Sequence, residues 1–242
     1  IDFIDRAKTT MAQCSLSETI SFPFVSPKDL DRLNVAATHP HRGLVALANP
    51  LADDQSHLQP TLIPNLLKAT VGNRRRGRKG TRLFEVARCF RDDAAAPAAE
   101  PYLSLGLTAE QGRHIQGRGR QDSRPIERVW LAGILDQPYA DKSWHGAVVQ
   151  ASFHHGKAIV AEFLAAFGVA EFSFTAISPE SLPWLVPGNS AAIYIDNRFA
   201  GYCGELHPQS TLDFDLELDD APVVFEIDLE VVFDGFMHTK AF

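Results

Sequence analysis

The ten residues Arg82-Leu83-Phe84-Glu85-Val86-Ala87-Arg88-Cys89-Phe90-Arg91 constrain the fold most, because charged and apolar side chains alternate along them. That period predicts an antiparallel strand with one covered face. Such a strand needs partners, and the rest of the chain supplies them. Residues 129–135 form a short apolar run, and 172–176, 191–195, 199–206 and 223–227 are short strand-like runs separated by Pro, Gly, Asn or Asp. Asp196-Asn197 suits a tight hairpin turn. Further strands are predicted at 19–25 and 44–47.

Helical spacing appears between these runs. Phe3, Ile4, Ala7, Met11 and Cys14 recur at three- and four-residue intervals and predict a helix over 2–14. Ser26 as N-cap with Pro27 behind it predicts a helix start. Leu62, Leu66, Leu67 and Thr70 mark one side of another helix. Phe153, Ile159, Val160, Phe163, Leu164 and Phe167 mark a helix over 152–167 that ends at Gly168. The segments 92–101 and 112–125, rich in Ala and Pro or in Gly, Arg and Gln, read as exposed loops. Together these runs predict an α+β fold, mainly an antiparallel sheet flanked by helices.

At 242 residues, with 45% hydrophobic and 22% charged, the chain can bury a sizeable core. Fibrous and disordered classes are excluded. Three cysteines, Cys14, Cys89 and Cys203, lie far apart without a CxxC pair, which suits a reducing cytoplasm rather than a disulfide framework. No apolar run of about 18 residues exists to predict a membrane span. The net charge of −7 hides a segregation. Arg74, Arg75, Arg76, Arg78 and Lys79 form a basic run, whereas the last thirty residues or so are acidic. Any contact with nucleic acid would therefore be local and salt-sensitive.

General catalytic signatures are missing. The histidines lack the i, i+4 spacing with a glutamate that a helical zinc site requires. Neither a GxSxG elbow nor a GxxxxGK[ST] phosphate loop occurs, and Gly117-Arg118-Gly119 lacks a third glycine. Cys89 beside Phe90 reads as a small buried hydrophobe. The arginine run suits a phosphate-contacting loop or simply a solvated turn, since no aromatic residue is interleaved to stack a base. Gly77 and Gly80 place it in an exposed turn, where the nearest acids in sequence, Glu85, Asp53 and Asp54, are too few to neutralise it.

The order of several segments carries more information. Glu18-Thr19-Ile20-Ser21-Phe22-Pro23-Phe24-Val25-Ser26-Pro27, Leu47-Ala48-Asn49-Pro50-Leu51, Leu62-Ile63-Pro64-Asn65-Leu66-Leu67 and the strand at Arg82 come first. Leu131-Ala132-Gly133-Ile134-Leu135, Ser143-Trp144, Val186-Pro187-Gly188-Asn189-Ser190-Ala191, Gly201-Tyr202-Cys203-Gly204-Glu205-Leu206-His207-Pro208 and Val224-Phe225-Glu226-Ile227-Asp228-Leu229 follow. This succession resembles the bacterial phenylalanyl-tRNA synthetase beta subunit over essentially the whole chain. Departures include Gln59 where that family customarily has arginine, Ala87 for glycine and Val186 for histidine.

The resemblance implies a single domain over 1–242 with a class II aminoacyl-tRNA synthetase-like core, without the family's editing and anticodon-binding domains, as an excised piece or a diverged gene would encode. It implies a module that is itself inactive: no arginine follows Arg198, Lys240 is a poor substitute for the late cation a class II site needs, and Glu85 and Arg88 lack their downstream partners. No cofactor is expected in this domain, ATP and Mg belonging to the assembled enzyme. The implied partner is the alpha subunit, in a cytoplasmic alpha2beta2 heterotetramer that attaches phenylalanine to tRNA. Phe3, Ile4, Ala7 and Met11 are the expected subunit seam, and Arg74, Arg75, Arg76, Arg78 and Lys79 the expected tRNA contact. Two alternatives stand beside it: an RNA-binding module acting through that basic run, and an autonomous ATP-dependent ligase.

Overall fold

The computed structural model describes residues 3–92, 125–144 and 146–239, so the loops predicted at 92–101 and 112–125 lie outside it except at their ends. Helix α1, Phe3–Gln13, leads to a two-residue strand, β1, Ser17–Glu18. Strand β2, Phe24–Val25, pairs antiparallel with β3, His57–Leu58. Between them α2, Pro27–Arg32, starts on a capping box in which Asp29 Oδ2 accepts from the Ser26 N–H at 2.9 Å and its hydroxyl at 3.2 Å. Then come α3, Ile63–Arg75, and the long strands β4, Arg82–Arg91, and β5, Ile126–Leu135. Helix α4, Phe153–Ala166, precedes β6, Phe172–Thr175, β7, Leu185–Ile195, and β8, Arg198–Leu206. A short α5, Pro208–Asp213, strand β9, Val223–Asp228, and α6, Leu229–Thr239, complete the order.

Seven strands form one sheet in the order β1-β4-β5-β9-β8-β7-β6, antiparallel except where β1 meets β4. The alternation that predicted β4 is satisfied by β5 along its whole length, from Arg82 opposite Leu135 to Arg91 opposite Ile126. Asp196 and Asn197, at φ of 49° and 60°, both take the left-handed conformation that a two-residue hairpin between β7 and β8 demands. Helices cover both faces. On one, α2 and α3 bring Leu30, Leu66 and Leu67 onto Ala132, Ile134, Tyr202 and Val224. On the other, α1, α4 and α6 bring Met11, Phe163 and Val232 onto Leu131, Phe225 and Ile227.

The strand predicted at 19–25 does not form as such. The chain pairs with β4 only at Ser17 and Glu18, then gives the Ser21 N–H and hydroxyl to Glu85 and leaves the sheet. Ile20 and Phe22 consequently face solvent, 85% and 75% exposed. The run at 44–47 contributes one bridge, Ala46 to His57. Beyond this short β1, the outer edge of β4 is met by a loop: Phe90 N–H donates to the Gln59 carbonyl at 2.8 Å, and the Gln59 side-chain amide donates to the Arg88 carbonyl at 3.0 Å. Gln59 is itself held by Asn65 Nδ2 at 2.9 Å.

The basic run is not one exposed turn. Helix α3 continues through Arg74 and Arg75, and only Gly77, at φ 79°, ends it in the left-handed conformation favoured after a helix. Arg74 thereby lies over the end of β5 and grips Asp136, with Nε 2.8 Å from Oδ1 and Nη2 closer still. The Arg74 side chain is 11% exposed and that of Asp136 0%. Arg75 reaches Asp215 at 3.1 Å in solvent, both side chains about two-thirds exposed. The acids that neutralise these cations lie 62 and 140 residues away in sequence, which is why neighbouring residues gave no sign of them.

Removing one member of a buried pair strands the other charge, whereas an exposed pair contributes little. Asp136→Ala is expected to lower the unfolding free energy by about 3–5 kcal/mol. Arg75→Ala is expected to change it by no more than about 0.5 kcal/mol. Urea denaturation of both variants checks the contrast.

Candidate functional site

The predicted seam residues divide by depth. Ala7 and Met11 are fully buried beneath α4, in the core that contains Phe163 and Phe167. Phe3 and Ile4 are half-buried at the mouth of a groove shared with Phe233, and the Phe3 ring meets those of Phe167 and Phe233 at 4.8 and 5.1 Å. The expectation of a four-residue partner surface is thus corrected for Ala7 and Met11, whose apolar stripe faces its own sheet. Of the predicted basic contacts, Arg74 is buried in its ion pair, while Arg75, Arg76, Arg78 and Lys79 are exposed.

The polar groups that converge lie on the sheet face covered by α2 and α3. Strand alternation brings Glu85 of β4, Tyr202 of β8 and Glu226 and Asp228 of β9 to this side, and each carboxylate has its own donors. Glu85 accepts from Ser21 twice, at 2.7 and 3.0 Å. Glu226 accepts from the Thr61 hydroxyl at 2.8 Å, the Leu62 N–H at 2.8 Å and the Tyr202 hydroxyl at 2.6 Å. Asp228 accepts from Arg128 at 2.7 Å and from the Glu230 N–H at 2.9 Å. Arg88 belongs to the opposite face and pairs with Glu127 at 2.8 Å.

Above these groups is a cavity of about 80 Å³ lined by His39, His41, Cys89, Arg128, Trp130 and Tyr202 among others. The lining residues His39, His41 and Tyr202 also pack on Trp184: the two histidine rings meet it edge-on at 5.9 and 5.4 Å, and Tyr202 meets it at 5.8 Å. His39 Nδ1 accepts from the His41 N–H at 3.2 Å, so its proton sits on Nε2, 2.9 Å from the Ser181 carbonyl. Burial, and then the neighbouring His39 and Arg91, hold His41 well below the ordinary histidine range, so it is neutral near pH 7. Burial, then the nearby carboxylates, pushes the Cys89 thiol well up, which leaves it an unreactive hydrophobe. Among the described residues no group of three or more His, Cys, Asp or Glu side chains is placed to hold a metal ion.

Sequence reasoning assigned no role to Glu226, Tyr202, Asp136 or Trp184. A glutamate inside the apolar run Val223-Val224-Phe225-Glu226-Ile227 is the signal for the first, because a carboxylate there must find donors within the protein. Burial raises its pKa despite three donors. A carboxyl held higher in the folded than in the unfolded chain stabilises the fold most when protonated. That contribution is complete below about pH 4.3, the ordinary glutamate value, and is lost as pH climbs toward the folded value. The unfolding free energy of the native chain is therefore expected to fall, relative to that of Glu226→Gln, as pH rises from about 4.3. Urea titrations of both proteins across that range measure it.

Comparison with known proteins matches this architecture. Over 96% of the chain, the sheet and helices superimpose on pyrrolysyl-tRNA synthetase from Desulfitobacterium hafniense with a TM-score of 0.63, covering 67% of that chain at 14% identity. This likeness establishes a class II synthetase-like α+β fold. The phenylalanine-tRNA ligase beta subunit of Carboxydothermus hydrogenoformans is 26% identical over 232 residues, 96% of this chain and 25% of its own length. That of Sodalis glossinidius is 31% identical over 223 residues, covering 92% of this chain and 24% of its own. The chain spans about a quarter of the length of these curated relatives. Residues 2–229 match the model of the phenylalanyl-tRNA synthetase beta chain CLM domain, and it is to that beta chain family that the chain belongs.

Proposed function

We propose that this domain is a non-catalytic core of the beta subunit, which docks on an alpha subunit and supports that subunit's ATP-dependent attachment of phenylalanine to tRNA in an alpha2beta2 assembly of the cytoplasm. The observation that carries the reading is the filled sheet face. Small-molecule sites occupy roughly 300–1,000 Å³, and the cavity over Glu226 and Asp228 has about 80 Å³. Its carboxylates, Glu226 and Asp228, are engaged by Thr61, Leu62, Tyr202 and Arg128. In this reading ATP and its magnesium ions are bound elsewhere in the assembled enzyme, consistent with the small volume of this cavity. Among the described residues no helix is long and apolar enough to cross a membrane.

Docking requires apolar surface, and the segment between β1 and β2 offers it. Phe22 lies parallel to Phe24 with ring centroids 6.4 Å apart, and Ile20 stands exposed two residues before it. In this reading Ile20 and Phe22, with the half-buried Phe3 and Ile4, take the place of the stripe that includes Ala7 and Met11.

The purified chain is expected to give no phenylalanine-dependent exchange of pyrophosphate into ATP, while a cognate alpha subunit co-purifies with it; exchange by the chain alone overturns the reading. Ile20→Glu with Phe22→Glu is expected to weaken alpha-subunit capture at least tenfold. Its effect on urea denaturation should stay within about 0.5 kcal/mol for each exposed position. Met11→Glu, which buries a charge, is expected to unfold the chain.

A further inference from the structure

At the edge of the sheet opposite β6, the end of α1, strand β1, the end of α3 and the start of β4 enclose an open cleft of about 530 Å³. Its polar lining comes from Ser15, Ser17, Asn73, Arg78, Thr81 and Arg82, and no carboxylate lines it. The nearby acids are committed elsewhere: Asp136 to Arg74 and Glu18 to Lys8, the latter at 2.6 Å. Arg82 is fixed in place, its Nη2 donating to the Tyr139 carbonyl at 2.9 Å and its guanidinium lying 4.3 Å over the Tyr139 ring. Among the described residues, the Arg78 guanidinium makes no hydrogen bond or ion pair. The Thr81 hydroxyl, which is shut off from solvent, has no hydrogen-bond partner.

Two helix ends point toward this place, and their partial negative charge opposes an anion. Backbone donors have already answered it. The Asn73 carbonyl accepts from the N–H groups of Arg76 and Arg78, both at 3.0 Å, and that of Arg74 accepts from Gly77 at 2.8 Å. At the end of α1, the carbonyls of Thr10, Met11 and Ala12 accept from Cys14, Leu16 and Ser15. What lines the cleft is then a surplus of hydrogen-bond donors, two arginines among them, and no acid.

We infer that this cleft binds a phosphate group. Arg78 supplies an exposed, fork-shaped charge, Arg82 a fixed one, and the hydroxyls of Ser15 and Ser17 with the Asn73 amide supply the neutral donors that a tetrahedral oxyanion requires. The phosphate can belong to an RNA backbone or to a small phosphate ester, since the donors recognise the group common to both. This site is independent of the alpha-subunit surface and stands or falls without it.

Inorganic phosphate, titrated at constant ionic strength into the ¹⁵N-labelled 242-residue chain, provides the test. Saturable shifts are expected at the amides of Ser15, Ser17, Asn73 and Thr81. Arg78→Ala should raise the apparent Kd about tenfold, the loss of one charged hydrogen bond. Arg76→Ala, an equal loss of charge from a residue that does not line the cleft, should leave the Kd unchanged. Absence of saturable shifts, or equal weakening by the two arginine variants, overturns the proposal, because either result describes diffuse attraction to a basic surface. Competition identifies the source: displacement of phosphate by a duplex RNA at lower concentration than by a nucleoside monophosphate assigns the cleft to a polynucleotide, and the reverse order to a small ester.

Discussion

A sheet covered by helices on both faces leaves its central strands no water, and most of what distinguishes this structure follows from that constraint. Every residue of β9 is buried, so each polar side chain on it must be answered by a donor carried on another element. Glu226 obtains three donors, and because they come from Thr61, Leu62 and Tyr202, a single carboxylate ties the start of α3 to β8 and β9. Asp228 fixes Arg128 on β5 in the same way. Both acids thereby tie elements of the sheet and its covering helices together.

This member of the beta chain family has a class II synthetase-like fold, and the buried acids Glu226 and Asp228 on one face of its sheet hold neighbouring elements together. The strand pairing and helix placement are those of the fold. Individual side chains serve structure here: histidines that line a cavity as neutral aromatic rings, a buried thiol near carboxylates, and an arginine at the end of a helix that clamps the end of a strand.

How much of this could be read from residues alone depended on the range of the interaction. Strands β4, β5, β8 and β9 were legible because a two-residue period or an apolar run records which faces are covered, and the β7–β8 turn because Asp196-Asn197 tolerates left-handed backbone. Helix α1 was legible as a helix, yet its period does not say whether the apolar stripe meets its own sheet or another chain. The segment after β1 misled because its alternating Ile20 and Phe22 face solvent, and only Phe24 enters a ladder, with β3 rather than with the main sheet. Nothing near Arg74 in sequence points to Asp136, and nothing around Glu226 names its donors. Contacts across 62 and 165 residues are properties of the folded topology. The cleft beside Arg78 has the same origin, since it gathers residues from four elements.

Gln59 carries one more consequence. Long β-strands at the margin of a sheet offer unpaired N–H and carbonyl groups to any other extended chain, and protein fibrils grow by accepting that offer. Here β1 shields β4 for only two residues, and at the opposite margin β6 has only four. Beyond β1, the Gln59 backbone and side-chain amide satisfy Phe90 and Arg88 as a neighbouring strand would, while Asn65 keeps that amide from turning away. One loop residue thus acts as a stopper on an open ladder, its backbone answering one strand group and its side chain another, so that an aliphatic residue there would leave the Arg88 carbonyl open to a strand from another chain.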